Sequence, residues 1–328
     1  MLVPTRTPAV CVYRMKTSAH KEKTHIKKKV DLRGCFREAG TTLWLESATG
    51  RPIGLRFRVM ATLNAIRKNH VTVAGNTNSG RTMLFAHGFG TDQTAWVDVA
   101  KAFLPDYRVI LYDNVGAGKS DPEAFSPNKY DNLHAYADDL VAICEALTVR
   151  DAVLVGHSVS GIISVLAAIK EPRFFSRLVL LGASPRYRND THYHGGFEQV
   201  DLDALYGTMQ TNYHAWASGF APIAMANPER PQLANYFADS LRSIRPDIAL
   251  AVMRVIMQSD HRADLARLDK PTLLIQSRMD MAVPLEVAQY LQRQIRGSQL
   301  AVVNASGHFP HISAPEVVIE AIQAFLRS

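Results

Sequence analysis

One pattern dominates the chain: a short, nearly unbroken apolar run followed by a longer stretch with helical spacing, repeated from about residue 65 to the C-terminus. The runs are HVTVA (70–74), TMLFA (82–86), RVILY (108–112), AVLVG (152–156), RLVLLG (177–182), PTLLIQ (271–276) and QLAVV (299–303). Runs of this length without polar alternation suit strands buried on both faces, as in parallel sheets. Helical spacing fills the intervals, notably 133–147, 162–170, 285–294 and 316–326. Strand and helix in alternation imply βαβ units, so the fold class is α/β, a mostly parallel central sheet flanked by helices. With 328 residues the chain has ample length to bury such a core.

Between about 185 and 261 the alternation stops. Four helical stretches, 202–209, 213–220, 233–242 and 247–257, are rich in aromatics and Met and are punctuated by Pro222, Pro228, Pro231 and Pro246. An interval this long is not a structureless loop in a compact domain, so it is expected to be an inserted four-helix cap.

The formal charge of +7 invites a nucleic-acid or membrane partner, but its distribution argues otherwise. Residues 1–59 hold 13 basic side chains against 4 acidic ones, whereas 60–328 hold 24 against 26. The domain at 60–328 is therefore near neutral, and neither a nucleic-acid nor a membrane role is expected of it. The segment 1–59 is expected to be a disordered basic extension or an upstream in-frame start ahead of Met60, with an organellar transit peptide as the minority alternative. Cys11, Cys35 and Cys144 show no metal or redox spacing, so no disulfide, metal or cofactor is expected and a cytoplasmic location is the default.

The chemistry is sought at LVGHSVSG (154–161), which follows one apolar run directly and opens a helical stretch. Small residues at Gly156 and Ser160 permit a tight strand-to-helix turn that presents its apex, Ser158, as a nucleophile. A serine hydroxyl needs a base, and the base needs an orienting acid. His157, adjacent to the apex, is directed away from it and is assigned to packing. Asp280 follows PTLLIQ and His308 follows QLAVV, each at the C-terminal end of a strand where ligands bind in open parallel sheets. His308 is favoured as base, with His311 near the start of the last helix as the rival. Backbone amides of Val159 and of Phe89, in the turn His87-Gly88-Phe89-Gly90, are the candidate oxyanion donors.

Two decoys lose on inspection. Gly118-Lys119-Ser120 ends like a phosphate loop, but that motif needs Gly at 113 and the chain has Asp113. The pairs His192/His194 and His308/His311 lack a carboxylate in helical register, so a metal is not expected.

The segments HGFGTDQTAW (87–96), RVILYDNVGAGKSD (108–121), GHSVSG (156–161), YHGGFE (193–198), NYHAWASGFAP (212–222) and GHFPH (307–311) resemble one α/β-hydrolase family. It is the family that contains the bacterial stress-response regulator RsbQ and the plant karrikin and strigolactone receptors. The resemblance covers the chain from about Asn64 onward. It implies a Ser158, Asp280, His308 triad with Phe89 and Val159 as oxyanion donors. It also implies a hydrophobic pocket under a V-shaped cap, mapped onto Tyr187, Phe197, Trp216 and Phe220. Met257 stands where the karrikin receptors are expected to carry an aromatic. The function expected is a serine hydrolase acting on a small, mostly apolar ester or lactone. The alternative is an RsbQ-like signalling protein that binds or hydrolyses a small hydrophobic ligand and activates a partner phosphatase.

Overall fold

The computed structural model describes residues 64–328, so the basic extension at 1–59 with Cys11 and Cys35 lies outside the described residues. Among the described residues, seven strands form one sheet. They are β1 (Thr72–Gly75), β2 (Thr82–Ala86), β3 (Arg108–Tyr112), β4 (Ala152–His157), β5 (Phe175–Leu181), β6 (Thr272–Met279) and β7 (Gln299–Ser306). Their spatial order is β1-β3-β2-β4-β5-β6-β7, with every neighbouring pair parallel except β1 and β3.

Helices α1 (Val97–Lys101), α2 (Leu133–Ala146) and α3 (Val159–Lys170) precede β5. Helices α4 (Gln199–Thr211), α5 (Tyr213–Met225), α6 (Pro231–Arg242) and α7 (Pro246–Gln258) lie between β5 and β6. Helices α8 (Leu285–Gln294), α9 (Pro310–Ser313) and α10 (Pro315–Arg327) follow β6.

Because successive strand side chains point to opposite faces, an apolar run feeds two cores at once. Leu84, Ile110, Leu154, Leu180 and Leu274 enter the core shared with α2, α3 and α8. Phe85, Leu111, Val155, Val179 and Ile275 enter the other, closed by Val99 of α1 and by Val318, Ile322 and Phe325 of α10. This two-sided burial is why the central strands read as unbroken apolar runs.

The runs at 70–74 and 299–303 depart from that expectation. β1 and β7 are edge strands, and Val73 and Val302 are 40% and 42% exposed. An edge strand has one neighbour and incomplete cover, so β-branched residues there report strand propensity rather than burial.

The insert between β5 and β6 is tied at its base. Arg186 and Asp190, just past β5, meet Asp260 and Arg262, just before β6: Arg186 donates to Asp260 at 2.6 Å, and Arg262 donates to Asp260 at 2.7 Å and to Asp190 at 2.9 Å. Burial alone would raise the Asp260 carboxyl, but the hydrogen bonds from Arg262 and Arg186 outweigh it and hold it at about 2.

Phe85 stands at the centre of the second core, 5.2 Å from the Trp96 ring and fully buried. Phe85→Ala is expected to lower stability by about 3–5 kcal/mol, read as an earlier urea midpoint with an unchanged m-value.

Candidate active site

β4 ends at His157 and α3 begins at Val159, which leaves Ser158 alone at the turn with φ 55° and ψ −125°. A non-glycine residue there is strained and persists only where its surroundings over-determine it. The Ser158 N–H donates to the Leu181 carbonyl of β5 at 2.8 Å. At position 156 a Cβ would stand 2.5 Å from the Ser160 carbonyl oxygen, so only glycine lets α3 turn back so sharply over the strand.

Loops from two later strands reach this apex. His308 Nε2 lies 2.8 Å from Ser158 Oγ, and His308 Nδ1 lies 2.8 Å from Asp280 Oδ2. Asp280 Oδ1 accepts the Ala282 and Val283 N–H groups at 2.8 and 3.1 Å, and Oδ2 accepts from Gln276 at 3.3 Å. The His308 backbone is held from both sides: its own N–H donates to Ala224 of α5 and the Gly307 N–H donates to Met279 of β6, each at 2.8 Å. The structure thus brings Ser158, Asp280 and His308 into one hydrogen-bonded chain.

The loop after β2 packs onto the same turn. A Cβ on Gly88 would meet His157 Nδ1 at 2.4 Å and Ser158 Cβ at 3.2 Å, a close approach only glycine allows. Among the described residues, neither the Phe89 nor the Val159 N–H donates to another protein group. His87 braces this loop. Its Nδ1 donates to the Gly88 carbonyl at 2.8 Å and its Nε2 accepts the Asn114 N–H at 2.9 Å. That arrangement is the neutral imidazole, which burial favours by holding the His87 pKa below the ordinary range.

Two braces escaped sequence reasoning. Ser160, assigned to the turn only for its small size, donates to the His87 carbonyl at 2.5 Å. Asn114 Nδ2 donates to both the His87 carbonyl and Ser160 Oγ at 3.1 Å. The signal for Asn114 was its place two residues past the C-terminal end of β3. Asp113 beside it explains the false phosphate loop: its carboxylate accepts the Gln93 N–H at 2.9 Å and the Lys119 N–H at 2.8 Å. The loop closes on an internal anion.

His157 and His311 are fully buried and neither hydrogen-bonds to Ser158. His157 Nε2 donates to the His308 carbonyl at 2.8 Å, so the residue beside the apex steadies the histidine that faces it. The His311 ring lies tilted against both Trp96 and His157, each with centroids 4.4 Å apart, and neither of its nitrogens is partnered.

The pocket residues and Met257 pack in two adjoining clusters: Phe197 and Trp216 pack against the core that holds Tyr187 and Met257, and Trp216 and Phe220 pack with Phe89 against the cluster that holds Phe309. Tyr187 is buried with its hydroxyl 3.3 Å from Ser158 Oγ, and burial raises its pKa so that it keeps its proton. Phe197 is tied to the Tyr187 backbone, its N–H donating to that carbonyl at 3.2 Å. Trp216 and Phe220 stack 5.1 Å apart on α5 and line an open groove against Gly207 and Thr208 of α4. Met257 is buried on α7. Positions i and i+4 lie on one helix face, which places both α5 aromatics together, Phe220 also lying 6.1 Å from Phe237 of α6. Among the described residues, no group of three or more His, Cys, Asp or Glu could hold a metal ion, and no helix is long and apolar enough to cross a membrane.

Burial holds His157 well below the ordinary imidazole range and brings His311 down to about 3. In an unfolded chain these rings take up protons near pH ~6.5. Below that pH the unfolded state binds protons the native state refuses, so stability falls as pH drops toward the native values. The urea midpoint is expected to decline on acidification from about pH 6.5. His311→Phe, which keeps a ring against Trp96, should make the decline shallower; equal slopes in variant and parent would refute this.

The family described as alpha/beta hydrolase fold matches residues 81–315. The karrikin insensitive 2 receptor CA of Petunia hybrida is 44% identical over 243 residues, covering 74% of this chain and 90% of the receptor. The strigolactone esterase D14 of Arabidopsis thaliana is 40% identical over 268 residues, covering 81% of this chain and 99% of the esterase. Among solved structures, a hydrolase from Oleispira antarctica superposes with a TM-score of 0.78 at 32% identity, covering 81% of this chain and 97% of that one. A central sheet with one antiparallel edge, a strained serine at the β4–α3 turn, and these matches lead to one conclusion: the chain belongs to the alpha/beta hydrolase fold family.

Proposed function

We propose that the protein is a serine hydrolase that cleaves a small, mostly apolar carboxylic ester or lactone through an acyl-enzyme. The observation that carries this is the hydrogen-bonded chain from Ser158 through His308 to Asp280, with links of 2.8 Å on each side of the imidazole.

Ser158 Oγ attacks the carbonyl carbon while His308 Nε2 takes its proton. Asp280 holds Nδ1–H and stabilises the imidazolium that forms. The oxygen turned negative accepts from the Phe89 and Val159 amides, whose lack of other partners supports this role. His308 then gives its proton to the leaving alkoxide, and the same base activates water to release the acid. Helices α4 to α7 serve as the cap that excludes bulk water while this happens. The Tyr187 hydroxyl, 3.3 Å from Ser158 Oγ, orients the serine hydroxyl so that its proton passes to His308.

The relatives named as receptors support a second use of the same site, in which a bound or slowly hydrolysed ligand is the signal; in this reading a regulatory phosphatase is the partner we propose. Single-turnover and steady-state rates separate the two: fast turnover favours metabolism, and slow deacylation favours signalling.

Ser158→Ala is expected to abolish both hydrolysis of short-chain nitrophenyl esters and covalent labelling by a fluorophosphonate; survival of either overturns the assignment. Tyr187→Phe should retain labelling and lower kcat by about 2- to 10-fold, the worth of one neutral hydrogen bond.

A further inference from the structure

Beside the Phe89 and Val159 amides lies a small apolar cavity that neither the triad nor the α5 aromatics line. Leu133, Ile163, Ile244, Val252 and Ile256 supply its walls, from α2, α3, α7 and the approach to α7. Of the polar side chains on its wall, His87 and Asn114 are hydrogen-bonded to the protein, and Tyr136 is not. Tyr136 of α2 is 4% exposed and its hydroxyl has no hydrogen-bond partner.

An orphaned buried hydroxyl costs about 1–3 kcal/mol, so its retention calls for a reason. The nearest acid offers none. Asp139 is already engaged by Lys68 and by the Tyr130 hydroxyl at 2.8 Å. The Tyr136 ring is fixed against Tyr130, with centroids 4.8 Å apart. Burial raises the Tyr136 pKa, so the phenol is a hydrogen donor at neutral pH. Tyr112 also has an unpartnered hydroxyl, but it does not line the cavity.

Geometry says which half of a substrate would lie here. If the Phe89 and Val159 amides hold the carbonyl oxygen, the acyl chain, which stays on the carbonyl carbon, extends from that point. Phe89 and Val159 line the cavity and Tyr187 and His308 do not; the leaving alkoxide takes its proton from His308 and so departs on the side of those two.

Resting on the hydrolase reading above, we propose that this cavity is the acyl-side subsite and that the Tyr136 hydroxyl donates to an oxygen on the acyl part. The substrate class is then a small ester or lactone whose acyl chain carries a keto, hydroxyl or ether oxygen away from the scissile carbonyl. A plain alkyl chain leaves the hydroxyl unpaired, and a site built to hydrogen-bond an oxygen discriminates against the analogue that lacks it.

Two nitrophenyl esters of equal chain length, the pentanoate and the 4-oxopentanoate, test this on the full chain. The parent protein is expected to prefer the oxo ester in kcat/KM by roughly tenfold, one hydrogen bond's worth. Tyr136→Phe should bring the ratio close to one. No preference in the parent, or a preference that survives Tyr136→Phe, overturns the subsite. Val252→Phe, which fills the cavity from α7, is a second test should Tyr136→Phe fail to fold. It should raise the acetate-to-pentanoate rate ratio, and an unchanged ratio overturns the proposal. Fluorophosphonate labelling of Ser158, run in parallel, keeps the two claims apart. Labelling without the oxo preference sinks the subsite alone, and no labelling sinks the hydrolase reading itself.

Discussion

The strained backbone at Ser158 is the constraint around which the rest is arranged. A φ of 55° at a residue with a Cβ is unfavourable, and it is held by β5 through the Leu181 carbonyl, by the tight turn at Gly156 and by the loop at Gly88. Each of those contacts is also what brings a functional group to the apex. The loop that presses on Ser158 carries the Phe89 amide, and the strand that accepts its N–H runs beside the strand leading to Asp280. Strain and site assembly are the same set of contacts.

A second theme is the use of buried, neutral histidines as structural parts. His87 joins the loop after β2 to the loop after β3, His157 joins the β4 turn to the His308 backbone, and His311 packs between Trp96 and His157. Burial keeps each of them uncharged. An imidazole near Ser158 is therefore no sign of a base. What separates His308 from its neighbours is a carboxylate on one nitrogen and a serine on the other.

Much of this was legible beforehand because it depends on local pattern. Unbroken apolar runs mark strands with cover on both faces, and the C-terminal ends of those strands locate Ser158, Asp280 and His308 without any coordinate. The failures share a cause. Exposure of β1 and β7, the bracing by Asn114 and Ser160, and the contact of Tyr187 with Ser158 all depend on which strands are neighbours or how loops face one another. Those are long-range facts with no local periodicity to announce them.

The division is physical. Alternation of side-chain direction along a strand and the spacing of a helix are properties of a few consecutive residues, so the sequence by itself determined an α/β layered fold, a strand-to-helix turn at Ser158 and the places of Asp280 and His308 just past strand ends. Distances between residues 150 positions apart, such as Ser158 and His308, are set by sheet order and loop packing. Only the tertiary structure could decide that His308 rather than His311 faces the serine, that Asp113 fills the false phosphate loop, and that the Tyr136 hydroxyl is left unpaired on a cavity wall.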